Sequence, residues 1–280
     1  MGAFAGLDVD VIKARLAGRV VGRQVVVYKS TSSTNDAAWQ FATNAANHGV
    51  CVFAESQEAG RGRQGRRWIS PPGESILCSI LLLDLPVESE MVTLATAVAV
   101  AEAVDGYVRG VTQIKWPNDI CVEGRKAAGI LVESRPERRA PSERGERSGR
   151  PGRDFVVGIG INCHQDAAFF AGADLRAEAT SIDLEGAGCV DRNMLAADVL
   201  NAVDRWITAA ALKPEAVIAR WKERSRLLGT RVVLDYDQRR FAGQCVGVDP
   251  VKGLVVQLES GGVRMFDAAH TTMVRQMTLD

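Results

Sequence analysis

The sequence predicts an α+β fold: a mixed, largely antiparallel sheet backed by helices, followed by a small β-barrel at the C-terminus. Three observations carry this expectation. Strand and helix patterns are interleaved over the first hundred residues, a β-meander with turn residues between its runs occupies 111–161, and short alternating strands follow residue 230.

Taken in order, 7–18 reads as a short amphipathic helix, with Leu7, Val11, Ile12 and Leu16 on one face and Gly18 as its stop. The β-branched run 24–29 is a strand. Residues 35–43 are helical with Ala37, Ala38 and Phe41 inward, and 49–55 forms a second strand. Residues 57–73 differ in kind, being rich in Gly and Arg and ended by Pro71–Pro72. An alternating strand, 75–83, leaves this segment, and an Ala-rich helix, 91–104, packs after it. The meander comprises VTQIKW, DICVEG, AAGILVES and FVVGIGIN. Its last two runs are separated by residues 135–154, a stretch of Arg, Glu, Ser, Pro and Gly that reads as a flexible, solvated connection. Acids interspersed among its arginines argue against an RNA-binding arm. Asp191 suits the N-cap of a helix whose inner face carries Leu195, Val199, Val203, Trp206 and Ile207. Pro214 opens the next helix and Gly229 ends it. The turn pairs Asp249–Pro250, Lys252–Gly253 and Gly261–Gly262 then punctuate a small β unit, giving expected domains of 1–227 and 228–280. At roughly 50 residues the second unit is marginal alone and should lean on the first.

Composition narrows the function classes. Lys+Arg and Asp+Glu both number 34, so no global field draws the chain to nucleic acid or a membrane. Anion chemistry must come from local clustering. The six cysteines are scattered without a CxxC pair, and Cys163 beside His164 lacks ligand-like spacing; reduced thiols in a cytoplasmic protein are expected. Asp8 and Asp10 interrupt any signal-peptide core, and the most apolar stretch, 91–104, contains Glu102 and is too short to span a bilayer.

The strongest chemical signal is Gly60-Arg61-Gly62-Arg63-Gln64-Gly65-Arg66-Arg67-Trp68. Glycines let backbone approach a ligand, arginine forks match phosphate oxygens, and an indole offers a flat face to a purine or cation. It is not a P-loop, since GxxxxGK[ST] is absent. By itself the run is also what an RNA-binding linker looks like, although such linkers seldom lie between core strands. The second signal is Lys115-Trp116-Pro117-Asn118-Asp119 with Lys126 on the following hairpin. Pro117 cannot donate to a ladder and so marks a turn that re-aims Asn118 and Asp119. Lys126 alone would read as a solvated turn lysine, and Asp119 alone equally well as a turn-stabilising side chain. The third signal is Gly158-Ile159-Gly160-Ile161-Asn162, a strand glycine-rich enough to suggest a ligand against its backbone.

Together these segments resemble the catalytic domain of biotin protein ligases over roughly residues 25–280. The order is Ser33-Thr34-Asn35, Gln57, GRGRQGRRW, KWPND, the lysine of RKAAGIL, then GIGIN. Six motifs in order are specific where one would be weak. The resemblance implies a class II synthetase-like sheet and an SH3-like C-terminal barrel. It implies that biotin is activated by ATP with Mg²⁺ to biotinyl-5'-adenylate and passed to a lysine of the biotin carboxyl carrier domain of acyl-CoA carboxylases, acetyl-CoA carboxylase among them. No metal-ligating protein cage is implied.

By the same resemblance Ser33, Thr34, Asn35, Gln57, Gly60, Gly129 and Leu131 border biotin. Arg61 and Arg63 hold carboxylate and phosphate, and Lys126 stabilises the charge developing between them. Gly62, Arg66, Asn118 and Asn162 lie on the nucleotide side, Trp68 stacks on adenine, and Asp119 assists the acceptor lysine. Arg61, Asp119 and Lys126 form the implied catalytic set. A mobile loop 60–68, open without ligand, would protect a labile adenylate. Only about 24 residues precede the first strand, too few for a three-helix DNA-binding domain, so no repressor role on DNA is expected. Lipoate–protein ligases are the nearest alternative, which the PNDI segment and complete arginine motif disfavour. The oligomeric state is undecided, with a monomer slightly favoured.

Overall fold

A computed structural model describes residues 4–136, 152–173, 175, 178–225, 227–249, 253–268 and 270–277. The elements in chain order are α1 (Val9–Ala14), β1 (Val25–Tyr28), α2 (Thr34–Gln40), β2 (Cys51–Ala54), β3 (Ser75–Leu85), α3 (Ser89–Asp105), β4 (Thr112–Lys115), β5 (Asp119–Val122), β6 (Arg125–Pro136) and β7 (Arg153–Asn162). They continue as α4 (Ala167–Gly172), α5 (Ile182–Glu185), α6 (Arg192–Leu212), α7 (Pro214–Ser225), β8 (Arg231–Tyr236), β9 (Arg239–Asp249), β10 (Gly253–Leu258), β11 (Val263–Phe266) and β12 (Thr271–Met277).

The first seven strands form one sheet in the order β1-β2-β3-β7-β6-β5-β4. Only the β1–β2 pair is parallel, which makes the sheet mixed but largely antiparallel as expected. Strands β8 to β12 make the SH3-like C-terminal unit, an antiparallel sheet ordered β11-β10-β9-β8-β12. Among the described residues no helix is long and apolar enough to cross a membrane.

Strand alternation assigns the two faces of the large sheet different tasks. On one face Ile76, Cys78, Ile80 and Leu82 of β3 and Phe155, Val157, Ile159 and Ile161 of β7 join the main core under α3 and α6. Helix α3 is apolar almost all round, because it lies between the sheet and α6–α7. On the opposite face α2 seats Ala37, Ala38 and Trp39 on Leu81, Leu83 and Val156. That helix has only seven residues, so it covers half of the face and leaves the rest open.

The cap expected at Asp191 is present: its carboxylate accepts from the backbone N–H of Asn193 and Met194. Residues 137–151 of the expected flexible connection lie outside the described residues. The strands flanking them pair out to Pro136↔Arg153. Two short helices, α4 and α5, were not anticipated, since six- and four-residue elements carry no readable period.

A buried ion pair closes the N-terminal segment onto the core. Arg192 Nη1 donates to Glu55 Oε2 at 2.7 Å and to the Ser75 carbonyl, while Nη2 donates to the Ala5 carbonyl. The Arg192 side chain is 1% exposed and that of Glu55 21%, so removing the guanidinium leaves a largely buried carboxylate, which keeps its bond from the Leu7 N–H, and two carbonyls without their donor. Arg192→Leu should lower the unfolding free energy by about 3 kcal/mol, read from the denaturant midpoint at constant slope. A loss under about 1 kcal/mol would show that the pair carries no structural weight.

Candidate active site

The uncovered half of the sheet face is built in rows. Leu77 of β3, Gly160 of β7, Gly129 of β6 and Asp119 of β5 are register partners across four strands. The next row is Ser79, Gly158 and Leu131. Glycines in these rows leave room for other chains to press on the backbone. A Cβ at Gly160 would meet Trp68 Cε2 at 2.7 Å, and one at Gly158 would collide with Asn35 Oδ1. The expectation of a ligand against the GIGIN backbone is thus met by the protein's own indole and amide at these two positions. They form the floor of a cavity of about 350 Å³, a size suited to a small organic ligand.

One end of the cavity is neutral and polar. Gln57 Oε1 accepts from both the backbone N–H of Thr34 (2.7 Å) and its hydroxyl (3.0 Å). The Ser79 hydroxyl lies 2.8 Å from Thr34 Oγ1 and 2.6 Å from Asn35 Oδ1. Ser33, Thr34 and Asn35 are each under 5% exposed, and Asn35 Nδ2 is buried without a hydrogen-bond partner. Buried donors are normally satisfied, so this amide marks a place for an acceptor.

The other end is charged. The Trp116–Pro117 peptide is cis, and the turn it makes brings Asn118 across the cavity. Asn118 Nδ2 donates to the Ile130 carbonyl at 2.6 Å, and its Oδ1 accepts from Arg63 Nη1 at 3.1 Å. Arg63 Nη2 is buried and without a hydrogen-bond partner. Burial pulls the Arg63 guanidinium below its usual range, with Asp119 opposing that shift and Arg66 adding to it. Lys126 Nζ meets Asp119 Oδ1 at 2.6 Å and stands 5.6 Å over the Trp68 ring.

The Gly/Arg segment is folded as a hairpin in this structure. Gly62 N–H donates to Arg66 O, Trp68 N–H donates to Gly60 O, and Arg63–Gly65 forms a 3₁₀ turn with Gln64 at φ 56°. The tip rests on the C-terminal sheet, where the Thr272 hydroxyl donates to Gln64 Oε1 and Arg66 Nη2 donates to Thr272 Oγ1. Internal hydrogen bonds and this cross-contact hold the hairpin together.

Ser33, Thr34, Asn35, Gln57, Arg61, Gly62, Arg63, Arg66, Trp68, Asn118, Asp119, Lys126, Gly129 and Leu131 all line the cavity. Gly60 and Asn162 do not. Gly60 closes the base of the hairpin, and Asn162 is buried with its amide donating to the Thr180 carbonyl. Arg61 lines the rim, yet its guanidinium makes a two-point pair with Asp36 and a third bond to Glu133. Ser79, Thr271 and Thr272 were missed. The first was signalled by a hydroxyl inside an otherwise apolar strand, whereas the threonines come from a remote part of the chain with no local mark.

This sheet, with glycine rows under an arginine hairpin and an Asp–Lys pair, has the chemistry to hold an anionic small molecule. Residues 27–143 match the model of the "Biotin/lipoate A/B protein ligase family". The chain is 30% identical over 262 residues to the bifunctional ligase/repressor BirA of Bacillus spizizenii, covering 92% of this chain and 76% of the relative. It is 30% identical over 277 residues to the biotin–[acetyl-CoA-carboxylase] ligase of Mycobacterium tuberculosis, covering 96% and 92%. A biotin protein ligase from Aquifex aeolicus, solved with biotin and ATP, shares the fold at a TM-score of 0.71 and 22% identity, covering 90% of this chain and 98% of that one. The chain belongs to the biotin protein ligases, a family of enzymes.

The Arg61 contact can be tested by titration. The Arg61 hydrogen bond is the main cause holding the Asp36 carboxyl below its usual range, with burial opposing it. A depressed carboxylate contributes stability that is present above the unfolded value and is lost as pH falls through the folded one. In Arg61→Gln the Asp36 carboxyl should titrate higher than in the parent, toward the ordinary carboxylate range, by carboxyl-carbon NMR. An unchanged titration would mean that Arg61 does not hold Asp36 in solution.

Proposed function

We propose that this chain activates biotin with ATP to biotinyl-5'-adenylate and transfers the biotin to a lysine of the biotin carboxyl carrier domain of acyl-CoA carboxylases, in the cytoplasm. The observation that carries the reading is a single cavity with a neutral end, where Asn35 Nδ2 lacks a partner, and a cationic end, where Arg63 Nη2 does. A ligand with an uncharged hydrogen-bonding head and an anionic tail satisfies both. All six cysteines are free, as a reducing compartment requires. We assign residues 1–227 to the catalytic unit and 228–280 to a unit that steadies its hairpin through Thr271 and Thr272.

In the first step a carboxylate oxygen of biotin attacks the α-phosphorus of ATP, the bond to the β-phosphate oxygen breaks, and pyrophosphate leaves. The carboxylate is already ionised at neutral pH, so no general base is needed. The difficulty is crowding of negative charge. Ser33, Thr34, Asn35 and Gln57 hold the biotin head, with Ser79 setting the orientation of Thr34 and Asn35. Arg63, held by Asn118, faces the phosphate. Lys126 moves from Asp119 to the oxygens between the reacting groups, and Arg61 reaches the carboxylate by leaving Asp36. Trp68 offers the adenine whichever ring face Gly160 does not occupy.

Mg²⁺ would arrive on the phosphates and neutralise part of their charge. Asp119 is a hard oxygen donor of the type this ion takes and would hold it as one carboxylate beside substrate phosphates. In the second step the acceptor amine attacks the activated carbonyl and AMP leaves. Asp119, released by Lys126, takes the amine proton.

Lys126→Ala should reduce biotin-dependent pyrophosphate release by about 10²–10³-fold. Calorimetry should show biotin binding to that variant and no lipoate binding to the parent. Pyrophosphate release within about threefold of the parent, or preference for lipoate, would refute the proposal.

A further inference from the structure

Behind the sheet end that carries the site, three side chains from separate parts of the chain meet. His164 follows β7, Asp183 lies in α5, and Cys189 sits in the loop before α6. Their Nδ1, carboxylate and Sγ atoms all lie within 4.8 Å of one another, the one such His/Cys/Asp/Glu group among the described residues. The Nδ1–Oδ2 distance is 2.8 Å and the Nδ1–Sγ distance is 3.8 Å.

Carboxylate and thiol approach the same imidazole nitrogen. A nucleophilic relay places them on opposite nitrogens, so that the base can take a proton from the thiol while the acid orients it. Convergence on one point is instead what a bound ion requires. Tetrahedral zinc with bonds of about 2.0–2.1 Å to N and O and about 2.3 Å to S has ligand edges near 3.3 Å for N–O and 3.6 Å for N–S. The two edges to the imidazole nitrogen reach those values if the carboxylate withdraws by about half an ångström and the thiol advances by a few tenths, while the carboxylate–thiol edge, within 4.8 Å, closes toward about 3.6 Å as the ion binds.

The surroundings hold the donors in place as metal ligands are usually held. The second oxygen of Asp183 accepts from the Val190 N–H at 2.7 Å, and the Asp183 N–H donates to the Cys163 carbonyl. The His164 side chain is 2% exposed, its backbone N–H donates to the Glu74 carbonyl, and Phe4 stacks on its ring at 3.9 Å. Cys189 is exposed, which leaves the fourth position to water. A thiol, an imidazole and one carboxylate select a borderline divalent ion such as Zn²⁺ and not Mg²⁺ or Ca²⁺, which take oxygen ligands.

We propose that His164, Asp183 and Cys189 form a three-ligand site for Zn²⁺ or a similar ion, separate from the cavity. Its role is a clamp. It ties the end of β7 to the segment that begins at Glu178–Thr180, whose backbone pairs with Lys126 through Lys126 N–H to Glu178 O and Thr180 N–H to Lys126 O.

The test uses the full-length chain stripped with a chelator and titrated with Co²⁺. One equivalent should bind with a near-ultraviolet thiolate-to-cobalt charge-transfer band and raise the melting temperature, and Zn²⁺ should displace it while excess Mg²⁺ does not. Loss of a second-shell partner costs 10–100-fold in metal affinity, so Cys189→Ser, losing a ligand itself, should bind at least about 100-fold more weakly and without the band. Asp183→Asn keeps the side-chain shape and should also weaken binding. Circular dichroism of both variants checks that they fold. Absence of one-equivalent binding, a band that survives Cys189→Ser, or affinity unchanged in a folded Asp183→Asn would each overturn the site.

Discussion

The indole of Trp68 lies against the backbone of Gly160, and that contact depends on the strict alternation of β7. Odd positions 155 to 161 carry large apolar side chains into the core, so the strand is fixed in register by burial. The even positions are then committed to the other face, where Val156 packs under α2 and Gly158 and Gly160 lie beyond it. A one-residue slip would bury glycines and expose isoleucines. The floor of the cavity is therefore as firmly specified as the core, although it contributes few side chains of its own.

Electrostatics are arranged around that floor without any net charge on the chain. Three of the cations that line the cavity have an anionic or amide partner: Arg61 has Asp36 and Glu133, Lys126 has Asp119, and Arg63 has Asn118. These pairings keep the cationic groups ordered in a partly dry site, where an unpaired charge would be costly. An arriving anion then exchanges with existing partners and does not have to order free side chains. Arg63 differs from the other two because its partner is neutral and one of its nitrogens is buried without one.

Much of the architecture was legible because period and punctuation agree. The alternating runs in β3 and β7, the Asp191 cap and the Pro214 start all fall where their physical signals stand. The site was legible as a set of motifs and less so as contacts. Glycines in GIGIN mark close approach in sequence but do not say by what, and here Trp68 and Asn35 make the approach. Asn162 shares the parity of Gly160, yet it lies at the strand end and holds Thr180. Thr272 steadies the hairpin from more than two hundred residues away, a pairing set only by how the C-terminal sheet leans on the first. The bonds that close the hairpin were not legible, because glycine's conformational freedom is a local signal whereas those bonds are not.

The glycine floor seats Trp68 and so shapes the site, and Gly160→Ala tests this with one methyl group. The added Cβ would lie under 3 Å from two atoms of the rigid indole, Cε2 and Cζ2, and is accommodated only by moving the ring. Biotin-dependent pyrophosphate release should fall about 10²-fold, as expected for an ångström-scale displacement in a site that works by alignment, with the denaturant midpoint near that of the parent. Release within twofold of the parent in a folded Gly160→Ala chain would contradict the account.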